Sequence, residues 1–425
     1  MMSRERVFYG WWIAAAAFIF MMMIVGFVLY GLPQYFDRYI AEFGWKRAEI
    51  QWGNTMSKII VGPVLGFAAG WAIERFGPKS VMVSGAMFAG IALVGFSFMT
   101  SISQLYFFYF FNALGYVCAG PLPCQVLLSN WFSRMRGRMM GIAYVGIGVG
   151  GTIVPWLILN LNQSFGWRGS LRILALIVFG TLLLLALFVI KRRPADLGLL
   201  ADGDKEVPGT AARQLPQIKL ARVVRTPEFW LLGVGSVFSI AAVGGITQNL
   251  PLYITDIRPP EEAQFTKATV SSLVLFSSIA GRLTMGYLAD RFVKKHVMLA
   301  TYILVGCSIP LLVMSHDYPS LLYVFAVTFG FGLGADYMLI PLMAAECFGL
   351  AALSRILGLI ITSDSIGEAL MPYLVAHIRD QSGSYAPGFY LLTGIALIGA
   401  VAILSIRYRG GVPVSRLQLE LQSGD

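Results

Sequence analysis

Gly70-Trp71-Ala72-Ile73-Glu74-Arg75-Phe76-Gly77-Pro78-Lys79 returns 216 residues later as Gly286-Tyr287-Leu288-Ala289-Asp290-Arg291-Phe292-Val293-Lys294-Lys295. Both copies join two apolar runs. Trp131-Phe132 and Cys347-Phe348 share the same offset, and Arg138-Met139-Met140-Gly141 is answered by Arg355-Ile356-Leu357-Gly358 one residue later. A motif duplicated at half the chain length, together with its neighbours, implies two halves built on one plan. Internal repeats of this kind are a property of many secondary transporters, whose substrate sits near mid-membrane where the repeats meet.

The rest of the chain agrees with a membrane setting. It has 425 residues, 57% of them hydrophobic and only 13% charged. A soluble domain averages about 45–50% apolar and about 25% charged. This balance excludes a soluble enzyme, a disordered chain and a nucleic-acid module, despite a net charge of +10. Apolar runs of about 18 residues or more recur throughout, as membrane-crossing helices require. They do not alternate in polarity as barrel strands do. Twelve spans are predicted, near 8–36, 50–73, 79–99, 104–129, 138–163, 168–190, 227–254, 267–289, 295–314, 319–345, 355–377 and 386–407.

The expected architecture is therefore an all-α membrane protein, with twelve transmembrane helices in two pseudo-symmetric six-helix halves around a central cavity. Residues 1–190 form the N-terminal half and 191–226 a cytoplasmic central loop opening on Lys191-Arg192-Arg193-Pro194. Residues 227–425 form the C-terminal half with a short cytoplasmic tail. With the N-terminus inside, the inner segments carry 22 Lys/Arg and the outer loops 8. The positive-inside rule then places both termini in the cytoplasm. The basic excess is a topology signal and needs no nucleic acid to explain it. The first apolar run lacks a small-residue cleavage site, so it reads as a retained span, not a signal peptide.

Four cysteines (Cys118, Cys124, Cys307, Cys347) form no CxxC pair, and three scattered histidines make no metal spacing. No GxxxxGK[ST] phosphate loop occurs, which argues against ATP-driven transport. No cofactor is expected.

The GxxxERFGxK and GxxxDRFxxK loops resemble the signature of the major facilitator superfamily. Other segments are similar to its monocarboxylate-transporter and oxalate–formate-exchanger branch. These are Tyr9-Gly10-Trp11-Trp12, Phe43-Gly44-Trp45-Lys46-Arg47-Ala48, Arg193-Pro194 through Gly203, and Arg225-Thr226-Pro227-Glu228-Phe229-Trp230.

Charges at membrane depth cost about 2.5–3.5 kcal/mol each on insertion scales and point to function. This chain places Lys58, Arg282, Asp336, Asp364 and Glu368 there. At a rise of about 1.5 Å per residue, Arg282 lies about 12 Å in from Asp290, Asp364 about 13 Å in from Arg355, and Asp336 about 15 Å in from Glu346. Glu368 follows Asp364 by one turn on the same face. One cation and two carboxylates thus share a depth near the membrane centre.

Arg282 is the leading anchor for a substrate anion. Its guanidinium fork matches a carboxylate in bidentate fashion, and its repeat partner, Gly66, shows that the scaffold does not require arginine there. The alternative is a static ion pair with Asp336 or Asp364. The resemblance favours the first role, because an arginine in span 8 of the monocarboxylate branch binds the substrate carboxylate. The chain also departs from that branch. Ser278 stands where mammalian-type members carry an aspartate, and span 11 offers Asp364 and Glu368 where oxalate–formate exchangers carry a lysine. The second departure argues against a doubly charged substrate. Asp364 matches an acidic span 11 position of the branch and leads as proton carrier, followed by Asp336 and Glu368.

Lys58 either lines the cavity as a second cation or snorkels along span 2. Tyr30, Asn112, Tyr116 and Tyr337 are neutral candidates for the other end of a small anion; Asn112 and Tyr116 share a face at i, i+4. Gly70, Glu74, Arg75, Gly77, Gly286, Asp290 and Arg291 read as an inner gate, whose charges pair with helix ends and loops. Gly141, Gly146, Gly148, Gly150, Gly151 and Pro155 suit span 5 to close packing or bending.

The sequence thus predicts a proton-coupled symporter of small organic monocarboxylates such as lactate or pyruvate. It would act as a monomer in the inner (plasma) membrane, with the anion, the proton and the lipid bilayer as partners. An organic-anion exchanger without net proton movement is the alternative within transport. A non-transporting ligand sensor is the alternative outside it, and no enzymatic constellation emerges.

Overall fold

The computed structural model describes residues 8–60, 66–203, 223–348, 353–409 and 412–413. These are almost entirely helical. The first span is α1 (Gly10–Met21), a π-helix (Met22–Leu29), a 3₁₀ turn (Leu32–Tyr35) and α2 (Phe36–Phe43). Then come α3 (Arg47–Ile60), α4 (Gly66–Phe76), α5 (Pro78–Phe98), α6 (Ile102–Ala119), α7 (Pro121–Trp131) and α8 (Arg136–Leu184). The later helices are α9 (Pro227–Ile257), α10 (Pro260–Arg291), α11 (Lys294–Met314), α12 (Leu321–Phe348), α13 (Leu353–Ser382) and α14 (Ala386–Ser405). Tyr408–Arg409 and Val412–Pro413 pair as a minimal antiparallel ladder beyond the last span.

Among the described residues, ten helical runs are long and apolar enough to cross a membrane. One of them, Arg136–Val189, has 54 residues. At about 1.5 Å per residue this is far longer than a core about 30 Å thick. Gly166, at φ 67°, breaks it into two spans, because that backbone conformation is open to glycine and strained for side chains. The second span is carried by α3 and α4, on either side of residues 61–65. Twelve spans result, as the hydropathy requires. Their ends run longer than sequence reading placed them: α10 starts at Pro260 rather than near 267, and α13 reaches Ser382. The fourth span is cut at Gly120 into α6 and α7.

Helix starts follow local chemistry. Proline occupies the first turn of α5, α7, α9, α10 and α14, where its missing N–H costs no intrahelical bond. Ser101 caps α6 by accepting from the Gln104 N–H. Between α4 and α5, Gly77 takes φ 83° and lets the Arg192 side chain lie against it; a Cβ there would stand 3.0 Å from Arg192 Cδ.

The chain divides into two compact units, Met1–Phe43 with Ile60–Ala211 and Gly44–Ile59 with Ala212–Asp425. In lipid the helices gain little from hydrophobic burial, so close packing at small residues holds them. In the first unit Gly26 on the π-helix meets Gly150 on α8, and Gly146 meets the Phe18 carbonyl. Two of the span 5 glycines therefore seat the first helix, whereas Gly141 has open space beside it. In the second unit α10 and α12 approach through Gly281 against Phe331, Gly330 against Val274 and Gly334 against Ser278. α9 and α13 approach through Gly244 against Glu368 and Gly367 against Val237. An apolar cluster including Phe229, Met285, Tyr302, Met343 and Ile403 fills the interior between these helices.

Candidate functional site

The tight α10–α12 seam fixes two of the intramembrane charges. Arg282 follows Gly281 on α10, and Asp336 lies two residues after Gly334 on α12. Asp336 is fully buried and Asp364, on α13, is 2% exposed. Both are held from α9. Ser236 Oγ donates to Asp364 Oδ1 at 2.8 Å, and Ser239 Oγ, one turn further, donates to Asp336 Oδ2 at 2.9 Å. The other oxygen of each carboxyl has no hydrogen-bond partner among the described residues. Tyr302 of α11 lies beside Asp336, its hydroxyl outside strict hydrogen-bond geometry. Two carboxyl groups are thus embedded among helices with neutral hydroxyls as their hydrogen-bond partners.

Arg282 is half-buried, and its Nη1 donates to Ser278 Oγ at 3.2 Å. Ser278 is fully buried and itself donates to the Leu275 carbonyl at 2.6 Å. The residue in the aspartate position of the related branch therefore contacts the arginine as a neutral partner.

Lys58, Tyr337 and Glu368 converge. Lys58 Nζ stands 3.3 Å from Glu368 Oε1, and the Tyr337 hydroxyl donates to Glu368 Oε2 at 2.7 Å. The ends of α3, α9 and α13 meet in a second ionic group. Arg47 Nη2 is 2.5 Å from Asp256 Oδ1, Arg379 Nη2 is 2.9 Å from Asp256 Oδ2, and the Ala48 N–H donates to Asp380 at 2.9 Å.

In the first unit, Tyr30 closes the π-helix, and it, Asn112 and Tyr116 are half-buried. Arg75 lies over the Trp71 ring at 5.4 Å, and Arg291 over the Tyr287 ring at 4.4 Å, so the two loop arginines take the same pose. The side chains of Glu74 and Asp290, and of Gly70 as a packing position, lie outside the described residues; Gly286 lies against Met338.

Three features were not read from the sequence. Ser236 and Ser239 carry no signal in a serine-containing apolar run. Lys267, seven residues into α10, is only 4% exposed. Asp202 in the central loop accepts from the N–H groups of Ser133 and Arg134 at 3.0 and 2.8 Å and from Met135 at 3.4 Å. Partial desolvation pushes its carboxyl up, but the three backbone donors and Arg134 outweigh this and hold it below the usual carboxylate range.

This arrangement, two units of membrane-crossing helices with paired loop signatures and buried acids, defines a multi-pass membrane transporter. The Major Facilitator Superfamily profile matches residues 11–263 and 259–421, and the chain belongs to that family. It is similar to monocarboxylate transporter 13 of Rattus norvegicus, 26% identical over 94% of this chain and 89% of that protein. Monocarboxylate transporter 12 of Rattus norvegicus is 28% identical over 75% and 69%. A fujikurins efflux protein of Gibberella fujikuroi is 24% identical over 85% and 74%. Among solved structures, a mutant of the nucleoside transporter NupG superposes with a TM-score of 0.73 at 13% identity, covering 93% of this chain and 99% of that one. A bacterial homologue of the lysosomal transporter Spinster gives 0.69 at 14%, covering 96% and 100%.

Proposed function

We propose that this transporter moves small organic monocarboxylates together with a proton by alternating access, in a plasma membrane with both chain termini cytoplasmic. The observation that carries the reading is the pair of buried carboxyl groups, Asp336 and Asp364, each held by a serine of α9. An ionised carboxylate without a charged partner in an apolar interior costs several kcal/mol, and a bound proton removes that cost. The names of the monocarboxylate transporters it resembles support an organic anion as cargo.

Arg282 is the anchor for the cargo carboxylate, with Asp364 and then Asp336 as the groups that take and release the proton. Tyr30, Asn112 and Tyr116 receive the remainder of the anion. Glu74, Arg75, Asp290 and Arg291 hold the inner gate. Proton and anion loaded together carry less net charge than either alone, which lowers the cost of the crossing.

Uptake of labelled pyruvate and lactate into proteoliposomes, with and without an inward proton gradient, tests this. Gradient-driven accumulation is expected. Arg282→Ala should reduce uptake to background, and full activity in that variant would refute the anchor.

A further inference from the structure

Glu368 has a different setting from the two buried aspartates. Each of its carboxylate oxygens has its own donor, an ammonium from α3 at 3.3 Å and a phenol from α12 at 2.7 Å. A cation on one oxygen and a neutral O–H on the other is a complete recognition set for any carboxylate. The group is also open where the aspartates are sealed. Lys58 and Glu368 side chains are each 18% exposed and Tyr337 is 41% exposed. Charged groups are not stable against hydrocarbon, so the surface they share is aqueous.

The backbone holding Glu368 is seated on one side and released on the other. A Cβ on Gly244 of α9 would come within 2.8 Å of Glu368 Cγ, so glycine there admits the side chain. Pro372, four residues on, supplies no N–H to the Glu368 carbonyl, which loosens that turn of α13. Lys58 is seated by its own helix, where Thr55 Oγ1 donates to the Ala369 carbonyl at 2.6 Å.

We propose that Glu368 is the resident occupant of a carboxylate-binding site whose donors are Lys58 and Tyr337, and that an incoming organic carboxylate displaces it. The proposal rests on the reading of the cargo as an organic anion. In the exchange the cargo carboxylate takes over the Lys58 ion pair and the Tyr337 hydrogen bond on its way to Arg282, and Glu368 swings free of both donors. The charged and titratable groups around Glu368 are Lys58 of α3, Tyr337 of α12 and Asp364 one turn back on its own helix, with Asp336 beyond. α9 carries no titratable side chain between Glu228 and Tyr253, and α14 carries only Tyr390. α9 and α14 therefore offer the displaced carboxylate no second cation.

The test uses the full-length chain and its Glu368→Gln, Lys58→Met, Tyr337→Phe and Lys58→Met/Glu368→Gln variants. Pyruvate is the probe in proteoliposome counterflow, and pyruvate and acetate are the probes in thermal-shift titrations in detergent. Removing the resident competitor should tighten apparent pyruvate affinity at least 10-fold in Glu368→Gln. Lys58→Met should weaken it at least 10-fold, Tyr337→Phe about 3-fold, and the double variant should behave as Lys58→Met. Unchanged or weakened affinity in Glu368→Gln, with a lowered melting temperature, would overturn the proposal in favour of a purely structural ion pair. If the unaltered protein moves no monocarboxylate, the cargo reading fails by itself. A carboxylate-dependent shift in Glu368→Gln that vanishes in the double variant would then still support the site, and its absence would refute it.

Discussion

Ser236 on α9 donates to Asp364 on α13 at 2.8 Å, and the bond is buried between two helices that meet through glycines. A serine hydroxyl can donate to an ionised carboxylate or accept from a protonated one, so it accommodates both states without rearrangement. Asparagine at 364 keeps an acceptor for Ser236 and removes the proton site. Asp364→Asn should therefore express and melt within a few degrees of the unaltered protein. Its gradient-driven uptake should fall at least 10-fold while exchange of internal for external anion persists. Uptake against a pH gradient, measured beside counterflow, separates these outcomes, and undiminished gradient-driven accumulation would remove Asp364 from the proton path.

The spacing of the charged residues along their helices was legible because helical rise is fixed at about 1.5 Å per residue. The duplicated loop made the two-part plan legible for a similar reason, since an offset along the chain survives folding. What spacing does not give is azimuth. Lys58 had two readings in the sequence, a cavity cation or a snorkelling side chain, and neither named Glu368, 310 residues away. That partnership depends on how α3 packs in the unit formed by Gly44–Ile59 and Ala212–Asp425. The serines holding Asp336 and Asp364 were hidden likewise, because serine is common in membrane helices and its partner is set by packing. The break at Gly166 was legible, because it falls in the short join that hydropathy leaves between the spans 138–163 and 168–190.

Gly334 on α12 faces the Ser278 carbonyl on α10, with Arg282 one turn beyond. A methyl group there has no flexible neighbour to displace, because the obstructing atom is backbone. Gly334→Ala should destabilise the fold by about 1–3 kcal/mol, the usual cost of overpacking. Gly141→Ala, where nothing stands within 4 Å, should be nearly neutral. Size-exclusion thermal melting of both variants checks the contrast, and equal melting temperatures would contradict the packing described for the seam.

Asp202 ties the central loop to the turn before α8. Its carboxyl is held below its ordinary value of about 3.9. A group with a lowered folded value stabilises fully above its unfolded value and loses that contribution as pH falls through the folded one. The loop anchor should thus be constant at neutral pH and weaken only below about pH 4. Asp202→Ala should expose the central loop to limited proteolysis at every pH, both by removing the acceptor and by placing alanine at φ 59°. Cleavage rates equal to those of the unaltered chain would show that the three N–H contacts do not restrain the loop.

Asp256 is shared by Arg47 and Arg379, with all three side chains about four-fifths buried. Removing the shared carboxylate leaves two guanidinium groups facing each other with their common counter-ion gone. Partly buried pairs lie between exposed ones, worth about 0–1 kcal/mol, and fully buried ones, where losing a partner costs about 3–5 kcal/mol. Asp256→Asn should therefore lower stability by about 1–3 kcal/mol. Because the residual repulsion is electrostatic, added salt should recover part of the loss. The double variant Asp256→Asn/Arg379→Gln relieves the repulsion and should melt above the single one. A double variant less stable than the single one would mean that Arg379 holds α13 through contacts other than Asp256, such as its position 5.8 Å over the Tyr385 ring.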